Sequence, residues 1–348
     1  MESIKSTALE PTPRELAHLS LLQRMMRLLP VYGLPILTVA LIILFSILLP
    51  TTFPTMLNLR SVLGDKSIIC VLALAAMVPM MAGRMDLTVG YGIVMWHVLA
   101  ISLQTQYGFN WIAAVLVVLA LGALLGLING LLVEIAQIDS FIATLGTGTV
   151  LYALALWHTG GRQVIGALPP EFTNIYATNI FGLPVAAFYV LAISIVLWVV
   201  ADYLPIGRML YAIGANQRAA SLNGIRTRRF VIGAFVTSGV LGAFAGIVLA
   251  AKLRIGQASV GLEFLLPALV GAFLGSTTIK PGRVNVWGTV IGVSILAVGI
   301  SGIQQFGGAF YVEPLFNGMT LLVAIGIAGY SQRRRAIGRA KPPQKIGT

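Results

Sequence analysis

The chain has 348 residues, of which 57% are hydrophobic and 10% are charged, and its mean hydropathy is +0.92. These values exclude an ordinary soluble domain and are typical of a polytopic membrane protein. The net charge of +12 would suggest nucleic acid as the partner of a soluble protein, but here the basic residues cluster at the ends of apolar segments. Membrane topology therefore explains the charge, and no nucleic-acid partner is expected.

Apolar segments long enough to cross a bilayer as helices follow a polar N-terminal tail over residues 1–30. We expect an all-α fold of about ten transmembrane helices within residues 31–330, followed by a basic tail over residues 331–348. The eighth span is short and contains Pro267, which is consistent with a broken or re-entrant segment. The predicted spans are 31–49, 67–83, 88–104, 109–133, 141–159, 185–202, 231–251, 262–276, 284–303 and 313–330.

The distribution of basic residues predicts the orientation of these spans. With the N-terminus in the cytoplasm, all but five of the 23 Lys and Arg residues lie on the inner side. The five on the outer side are Arg60, Lys66, Arg162, Lys252 and Arg254. Both termini are therefore expected in the cytoplasm. Cys70, the only cysteine, lies in an apolar run, which excludes disulfides within the chain and cysteine-based zinc sites.

Asp86 follows the second span in the sequence Ala-Gly-Arg-Met-Asp-Leu-Thr-Val-Gly. Its carboxylate is expected to cap the next helix by accepting hydrogen bonds from the amides of Thr88 or Val89. Asp139 and Ser140 are expected to do the same for the fifth span.

His97 is the one ionisable side chain well inside a predicted span. Two interpretations stand: a neutral, hydrogen-bonded packing histidine, or a polar contact for a passing solute.

Glycines recur at helical spacing within two spans, which lets helix backbones approach closely. They are Gly122, Gly126 and Gly130 in the fourth span and Gly239, Gly242 and Gly246 in the seventh. We expect them to pack helices tightly rather than to bind a solute.

A faint internal repeat relates two segments that lie far apart in the chain. Gly83–Leu87 (Gly-Arg-Met-Asp-Leu) opens the third span, and Gly282–Val286 (Gly-Arg-Val-Asn-Val) opens the ninth. At the same offset, Ile101-Ser102 matches Ile300-Ser301. Internal repeats are common in transporters, and chance similarity is the alternative.

The polar stretch 203–229 is the only long polar break in the middle of the chain. Asn216 can cap a short helix over Gln217–Asn223, and Gly224 stands where a left-handed residue would end it. The loop carries five arginines and is expected to face the cytoplasm. It is either a docking element for a cytoplasmic partner or a solvated connector.

Several chemistries have no sequence signature in this chain. There is no Gly-Lys dipeptide, so the phosphate-binding Walker sequence is missing. All eleven Asp and Glu residues lie in tails, loops or span ends, which disfavours proton coupling. No pair of histidines at metal-ligand spacing and no nucleophile motif occurs. A secondary carrier or facilitator, and a membrane-embedded enzyme or scaffold, stay as alternatives.

Three stretches make the chain resemble the permease subunits of bacterial ATP-binding-cassette (ABC) importers for ribose and related monosaccharides. Gly83–Gly90 is similar to that family's Gly-Gly-Ile-Asp-Leu-Ser-Val-Gly signature, and Ser140–Thr147 to its Ser-Phe-Ile-Ala-Thr-Leu-Gly-Thr stretch. Tyr211–Ile225 looks like its cytoplasmic coupling loop. The resemblance covers about residues 30–332. The chain departs from the pattern at Arg84, where glycine is usual, at Arg218, where glutamate is common, and at Asp139, where proline is common.

The resemblance implies a transport subunit for a monosaccharide or related polyol in the bacterial inner membrane, surrounded by lipid. Its partners would be a cytoplasmic ABC ATPase, which uses the ATP, a second permease copy and a periplasmic sugar-binding protein. The chain itself would hold no cofactor or metal and have no catalytic site. The residues expected to couple to the ATPase are Gly214, Asn216, Ala219, Ala220 and Gly224. The candidates for the pathway or its gate are Asp86, His97, Ser140 and Phe141.

Overall fold

The computed structural model describes residues 21–308, 311–320 and 322, and nearly all of its regular structure is helical. A π-helical turn, Val199–Tyr203, continues the helix before it, and a 3₁₀ turn spans Leu262–Phe264. Residues 312–320 are helical. The α-helices are α1 (Leu21–Leu48), α2 (Met56–Met81), α3 (Thr88–Thr105), α4 (Trp111–Glu134), α5 (Ser140–Thr159), α6 (Pro170–Ala177), α7 (Val185–Trp198), α8 (Pro205–Ala215), α9 (Gln217–Leu222), α10 (Thr227–Leu253), α11 (Leu265–Leu274) and α12 (Val286–Gln305).

Two short strands form a hairpin between α6 and α7. They are β1 (Asn179–Ile180) and β2 (Leu183–Pro184), paired antiparallel with Asn179 opposite Pro184 and Ile180 opposite Leu183. The fold is therefore all-α apart from this one small hairpin within the described ranges.

Seven of the described helices are long and apolar enough to cross a bilayer: α1, α2, α4, α5, α7 with its π turn, α10 and α12. Two other segments of the described residues were also expected to span the bilayer. They are not long and apolar enough, because α3 carries polar side chains along its 18 residues and α11 has only 10 residues. The polytopic all-α fold is confirmed, while the count of ten and the side of each terminus stay predictions. Most of the expected span 313–330, residues 1–20 and the tail 331–348 lie outside the described residues.

α2 is the central helix. Its residues from Ser67 to Pro79 are all buried, and it packs against α7, α10, α11 and α12. A helix that is apolar on every side is stable only when surrounded by other helices or lipid. Cys70 lies in this segment and is 5% exposed.

α2 begins at Met56, well before the expected span start at residue 67. The additional turns carry polar side chains that pair with segments at the same end of the bundle. Arg60 Nε donates to the Gly182 carbonyl at 2.6 Å, and Lys252 Nζ lies 2.7 Å from Asp65 Oδ1. These pairs allow the helix to continue beyond its apolar part.

The glycines of α4 pack against the backbone of α10, as their spacing predicts. A methyl group at Gly126 would overlap the Phe235 carbonyl oxygen, and one at Gly239 would overlap the Gly122 carbonyl oxygen. Gly246 instead faces Trp96 on α3. Because helices in lipid gain little from the hydrophobic effect, such close backbone approach is a main source of their association.

Candidate functional site

The central polar loop folds as two short helices, α8 and α9, at one end of the bundle. Asn216 lies between them in extended conformation, and its side-chain oxygen accepts from the Ala219 amide at 2.9 Å. Gly224 has φ +80°, and the Ile225 amide donates back to the Ala220 carbonyl at 3.1 Å. This is a helix C-cap of the kind that favours glycine. The predicted cap and stop are confirmed, with α9 ending one residue before the expected Asn223.

α9 has a buried and an exposed face. Ala220 is buried against the bundle, whereas Ala219 and Asn216 are exposed. Leu222 is 82% exposed. Sequence reasoning counted Leu222 as a helix former and did not single it out.

Gly214 is the remaining expected coupling residue, and it lies in α8 against the end of α2. A methyl group there would overlap the Met81 carbonyl oxygen and lie 3.1 Å from the Gly83 amide nitrogen. Gly83 itself has φ +71°, which glycine adopts without strain. α8 therefore touches the α2–α3 turn backbone to backbone.

Arg84, in the same turn, ties α9 to the end of α4. Its Nη2 donates to Glu134 Oε1 at 2.9 Å and to Gln217 Oε1 at 2.8 Å. The Gln217 amide nitrogen donates in turn to Glu134 Oε2 at 3.2 Å. Only 1% of the Glu134 side chain is exposed, and a buried carboxylate needs such partners. The sequence marked Arg84 as unusual but did not identify Glu134 or Gln217.

The segment between α11 and α12 contacts the same loop from another side. The guanidinium of Arg283 lies 3.7 Å from the centre of the Tyr211 ring, in cation–π geometry. The Tyr211 hydroxyl donates to the Val284 carbonyl at 2.9 Å. Lys280 Nζ and Arg283 Nη2 lie 2.6 and 3.7 Å from Asp202 Oδ1.

Asp86 is buried, with 1% of its surface exposed. Its Oδ1 accepts from the Thr88 amide at 2.9 Å and from the Thr88 hydroxyl. The expected hydrogen bond to Thr88 is confirmed, although the N-cap position of α3 is held by Leu87 rather than by Asp86. Its Oδ2 has no hydrogen-bond partner among the described residues. Desolvation raises the pKa of Asp86, and the hydrogen bonds from Thr88 and the proximity of the Ser238 hydroxyl offset part of that rise.

Ser140 does not cap α5 as expected, because its hydroxyl points to the neighbouring turn. Ser140 Oγ accepts from the Met85 amide at 3.1 Å. Asp139 does cap the helix, accepting from the Phe141 and Ile142 amides at 2.9 and 3.4 Å. Ser140 and Asp86 therefore meet at one turn.

His97 and Phe141 lie apart from that turn. His97 is fully buried, with Nδ1 2.9 Å from the Ile93 carbonyl and Nε2 3.0 Å from the Gln257 carbonyl. Those contacts fit the packing interpretation of His97. Phe141 is exposed on the surface of α5. The four pathway candidates do not converge on one cavity, and their roles stay predictions.

Comparison with known proteins gives a family and several relatives. Residues 58–328 match the family model described as "Branched-chain amino acid transport system / permease component". The ribose import permease protein RbsC of Bacillus subtilis (strain 168) is 32% identical over 302 residues, covering 86% of this chain and 92% of the relative. No solved structure matches the chain.

Two further relatives are named for the transport of other solutes. The D-allose transport system permease protein AlsC of Escherichia coli (strain K12) is 25% identical, covering 85% of this chain and 90% of its own length. The autoinducer 2 import system permease protein LsrD of Escherichia coli O9:H4 (strain HS) is 28% identical, covering 88% of this chain and 95% of its own length.

Proposed function

Since the chain belongs to the family of branched-chain amino acid transport system permease components, we propose that it is the inner-membrane permease subunit of an ABC importer for a monosaccharide or related polyol. The relatives that it matches over most of their length are import permeases for ribose, D-allose and autoinducer 2. Those three solutes are all small and polar. Ribose and allose are sugars, which favours a sugar here over a branched-chain amino acid.

The observation that carries the proposal is the form of α9. It is a separately capped helix of six residues held between α8 and α10, and it presents Leu222 outward with 82% of its surface exposed. An exposed apolar side chain within an arginine-rich segment is suited to a pocket on a partner protein. We assign this face to the ATPase partner.

ATP hydrolysis belongs to that partner in this proposal. The chain has no Gly-Lys dipeptide and hence no Walker sequence. Closure of a pair of ATPase subunits would displace α9, and a short helix tied to several spans transmits such a displacement as a rigid element.

A second permease copy would complete the pathway, with a periplasmic sugar-binding protein supplying the solute. Close packing within one chain supports this arrangement. The void beside Ser67, Tyr189 and Phe244 has a volume of about 10 Å³, which is room for about one water molecule. The α4–α10 contact is too tight to admit a solute, since glycine faces backbone there. In this proposal the sugar passes between the two copies rather than through one.

The alternative, a proton-coupled secondary carrier, would need a buried carboxylate. Asp86 and Glu134 are each 1% exposed, so the structure buries two acids that the sequence placed in a loop and at a span end. Glu134 is neutralised by Arg84. Asp86, with one oxygen unpartnered among the described residues, is the group such a carrier would use.

Transport in reconstituted vesicles distinguishes the two functions. The permease is purified with its ATPase subunit, placed in vesicles with the sugar-binding protein outside and ATP inside, and supplied with labelled ribose, allose and leucine in turn. We expect sugar uptake that needs ATP and ceases when the ATPase is inactivated. Uptake driven by a proton gradient without ATP would refute the importer and support the carrier.

A further inference from the structure

The two segments of the internal repeat share two local features. Gly83, between α2 and α3, has φ +71°, and Gly282, between α11 and α12, has φ +93°. Three residues later, a side-chain oxygen of Asp86 or Asn285 accepts an amide proton from the start of the next helix. The similarity seen in sequence therefore extends to the positive φ of the glycine and to a hydrogen bond from the next helix to this side chain.

The residue after each glycine is an arginine, and both arginines reach the central loop. Arg84 binds Gln217, the first residue of α9. Arg283 stacks on Tyr211 in the middle of α8. The loop is thus held at two points by equivalent residues of the two repeats, although the turns lie far apart in the chain.

Each arginine also has an acidic partner at the end of another helical segment. For Arg84 this is Glu134, the last residue of α4, at 2.9 Å. For Arg283 it is Asp202 in the π turn after α7, at 3.7 Å. The carboxylate fixes the guanidinium in place, and the guanidinium in turn fixes the loop.

The two contacts differ in strength. The Glu134 side chain is 1% exposed, and the Gln217 amide uses both its oxygen and its nitrogen in the network. The Asp202 side chain is 18% and the Arg283 side chain 45% exposed, so solvent weakens that ion pair. The contact of Arg84 with α9 is the firmer of the two.

We propose that Arg84 and Arg283 are paired positioning residues that link the ATPase-facing loop to both repeated hairpins, α2–α3 and α11–α12. Displacement of α9 pulls the first hairpin through Arg84, and displacement of α8 moves the second through Arg283. This inference rests on the proposed importer function. It adds that one loop moves both halves of the permease, and that Arg84 transmits more of this movement than Arg283 does.

The test measures sugar taken up per ATP hydrolysed in the reconstituted importer. The variants are Arg84→Gln, Arg283→Gln and the double variant, with Arg162→Gln as a control that removes one exposed arginine elsewhere. Melting temperature and the amount of co-purified ATPase are recorded for each. We expect uptake per ATP to fall about threefold to tenfold for Arg84→Gln, less for Arg283→Gln and most for the double variant, with the ATPase still bound.

An exchange of charge separates coupling from folding. Arg84→Glu alone places two carboxylates together and is expected to lose coupling and stability. In Arg84→Glu/Glu134→Arg the ion pair is restored, and the Gln217 amide can turn over to donate to the new carboxylate and accept from the new guanidinium. We expect that double variant to regain most of the uptake per ATP.

The outcomes are distinguishable from failure of the importer proposal. If the parent complex takes up no sugar with ATP, the proposed function fails. If the parent transports and Arg84→Gln keeps the parent's uptake per ATP, the positioning role is overturned. A drop in co-purified ATPase or melting temperature without a change in that ratio would also overturn it, since a merely structural residue behaves in that way.

Discussion

Asp86 and Asn285 occupy equivalent positions in the two repeated turns, yet only Asn285 has every polar atom of its side chain hydrogen-bonded. Its Oδ1 accepts from the Gly288 amide at 2.8 Å, and its Nδ2 donates to the Gly275 and Thr278 carbonyls at 2.6 and 3.0 Å. Asp86 uses one oxygen and leaves the other without a partner in the described part of the chain.

Replacing Asp86 with asparagine should stabilise the fold. The amide keeps the Oδ1 that accepts from Thr88, and its nitrogen offers a donor to the nearby Ser238 hydroxyl. Relief of an unpartnered buried acceptor is worth on the order of 1–3 kcal/mol. Thermal unfolding of the purified proteins in detergent would measure the gain, and a melting temperature for Asp86→Asn below that of the parent would contradict it.

The difference in stability between the parent and Asp86→Asn depends on pH, and the sign of that dependence follows from the pKa of Asp86. Burial raises the pKa of Asp86 above its ordinary value of 3.8, so at a pH between the unfolded and folded pKa values the folded protein holds a proton that the unfolded chain has lost. Unfolding then releases a proton, and this carboxyl makes the fold less stable as the pH rises above that value. Melting temperatures of parent and Asp86→Asn should diverge as the pH rises above about 4, where the unfolded carboxyl loses its proton. A constant difference would exclude Asp86 as the cause.

The reciprocal change, Asn285→Asp, should destabilise the fold. It removes the donor to the Gly275 and Thr278 carbonyls and places a carboxylate oxygen against them. The expected loss is about 2 kcal/mol or more, seen as a lower melting temperature and less folded protein in the membrane. Unchanged melting would show that water, not Asn285, satisfies those carbonyls.

Gly126 should tolerate no side chain, whereas Gly146 should. An added methyl at Gly126 meets the Phe235 backbone of α10, while no described atom lies within 4 Å of one at Gly146. Gly126→Ala should lose about 1–3 kcal/mol through forced separation of α4 and α10. Gly146→Ala, also in a helix, serves as the matched control and should melt like the parent. Equal melting of both variants would contradict the tight-packing interpretation.

Position 224 requires glycine because of its backbone conformation, not because a side chain would lack space there. Its φ is +80°, and open space surrounds the position of a Cβ among the described atoms. Gly224→Val should insert normally but bind the ATPase several-fold more weakly, because a β-branched residue resists positive φ and unwinds the end of α9. Gly224→Asn should bind nearly as the parent does, since asparagine tolerates this conformation. Equal ATPase co-purification with both variants would contradict the prediction.

Leu222 should act as an apolar anchor for the ATPase. Leu222→Ser should reduce ATPase co-purification about tenfold, as loss of a central apolar contact does at other interfaces. Leu57 is 80% exposed at the opposite end of the bundle, so Leu57→Ser removes a similar exposed side chain without touching the loop. ATPase binding should be unaffected by it. If both variants bind the ATPase equally, α9 does not dock through this residue.

Local chemistry made the central loop predictable from sequence. The Asn216 side chain binds an amide three residues ahead, and the conformation of Gly224 depends on its own missing Cβ. The outcome was a helix within one residue of the expected bounds. The glycine spacing in α4 was informative for the same reason, since residues four apart share one face of a helix.

Contacts between distant segments could not be predicted in this way. Arg84 is 50 residues from Glu134 and 133 from Gln217, and its presence in place of glycine gave no indication of which acid it would meet. Ser140 looked like a cap because of its position, but the neighbouring Met85 amide competes for its hydroxyl. The start of α2 was misplaced because hydropathy treats Asp65 and Arg60 as loop residues, whereas tertiary partners keep them helical.

Burial of Cys70 within α2 has a practical consequence. It is the chain's single cysteine, and a thiol covered by neighbouring helices reacts slowly with soluble reagents. The natural protein can thus serve directly as the background for single introduced thiols. A spin label or fluorophore at the exposed position Ser221→Cys would report the side of the membrane on which α9 lies, and distances between such labels during ATP turnover would reveal how far that helix travels.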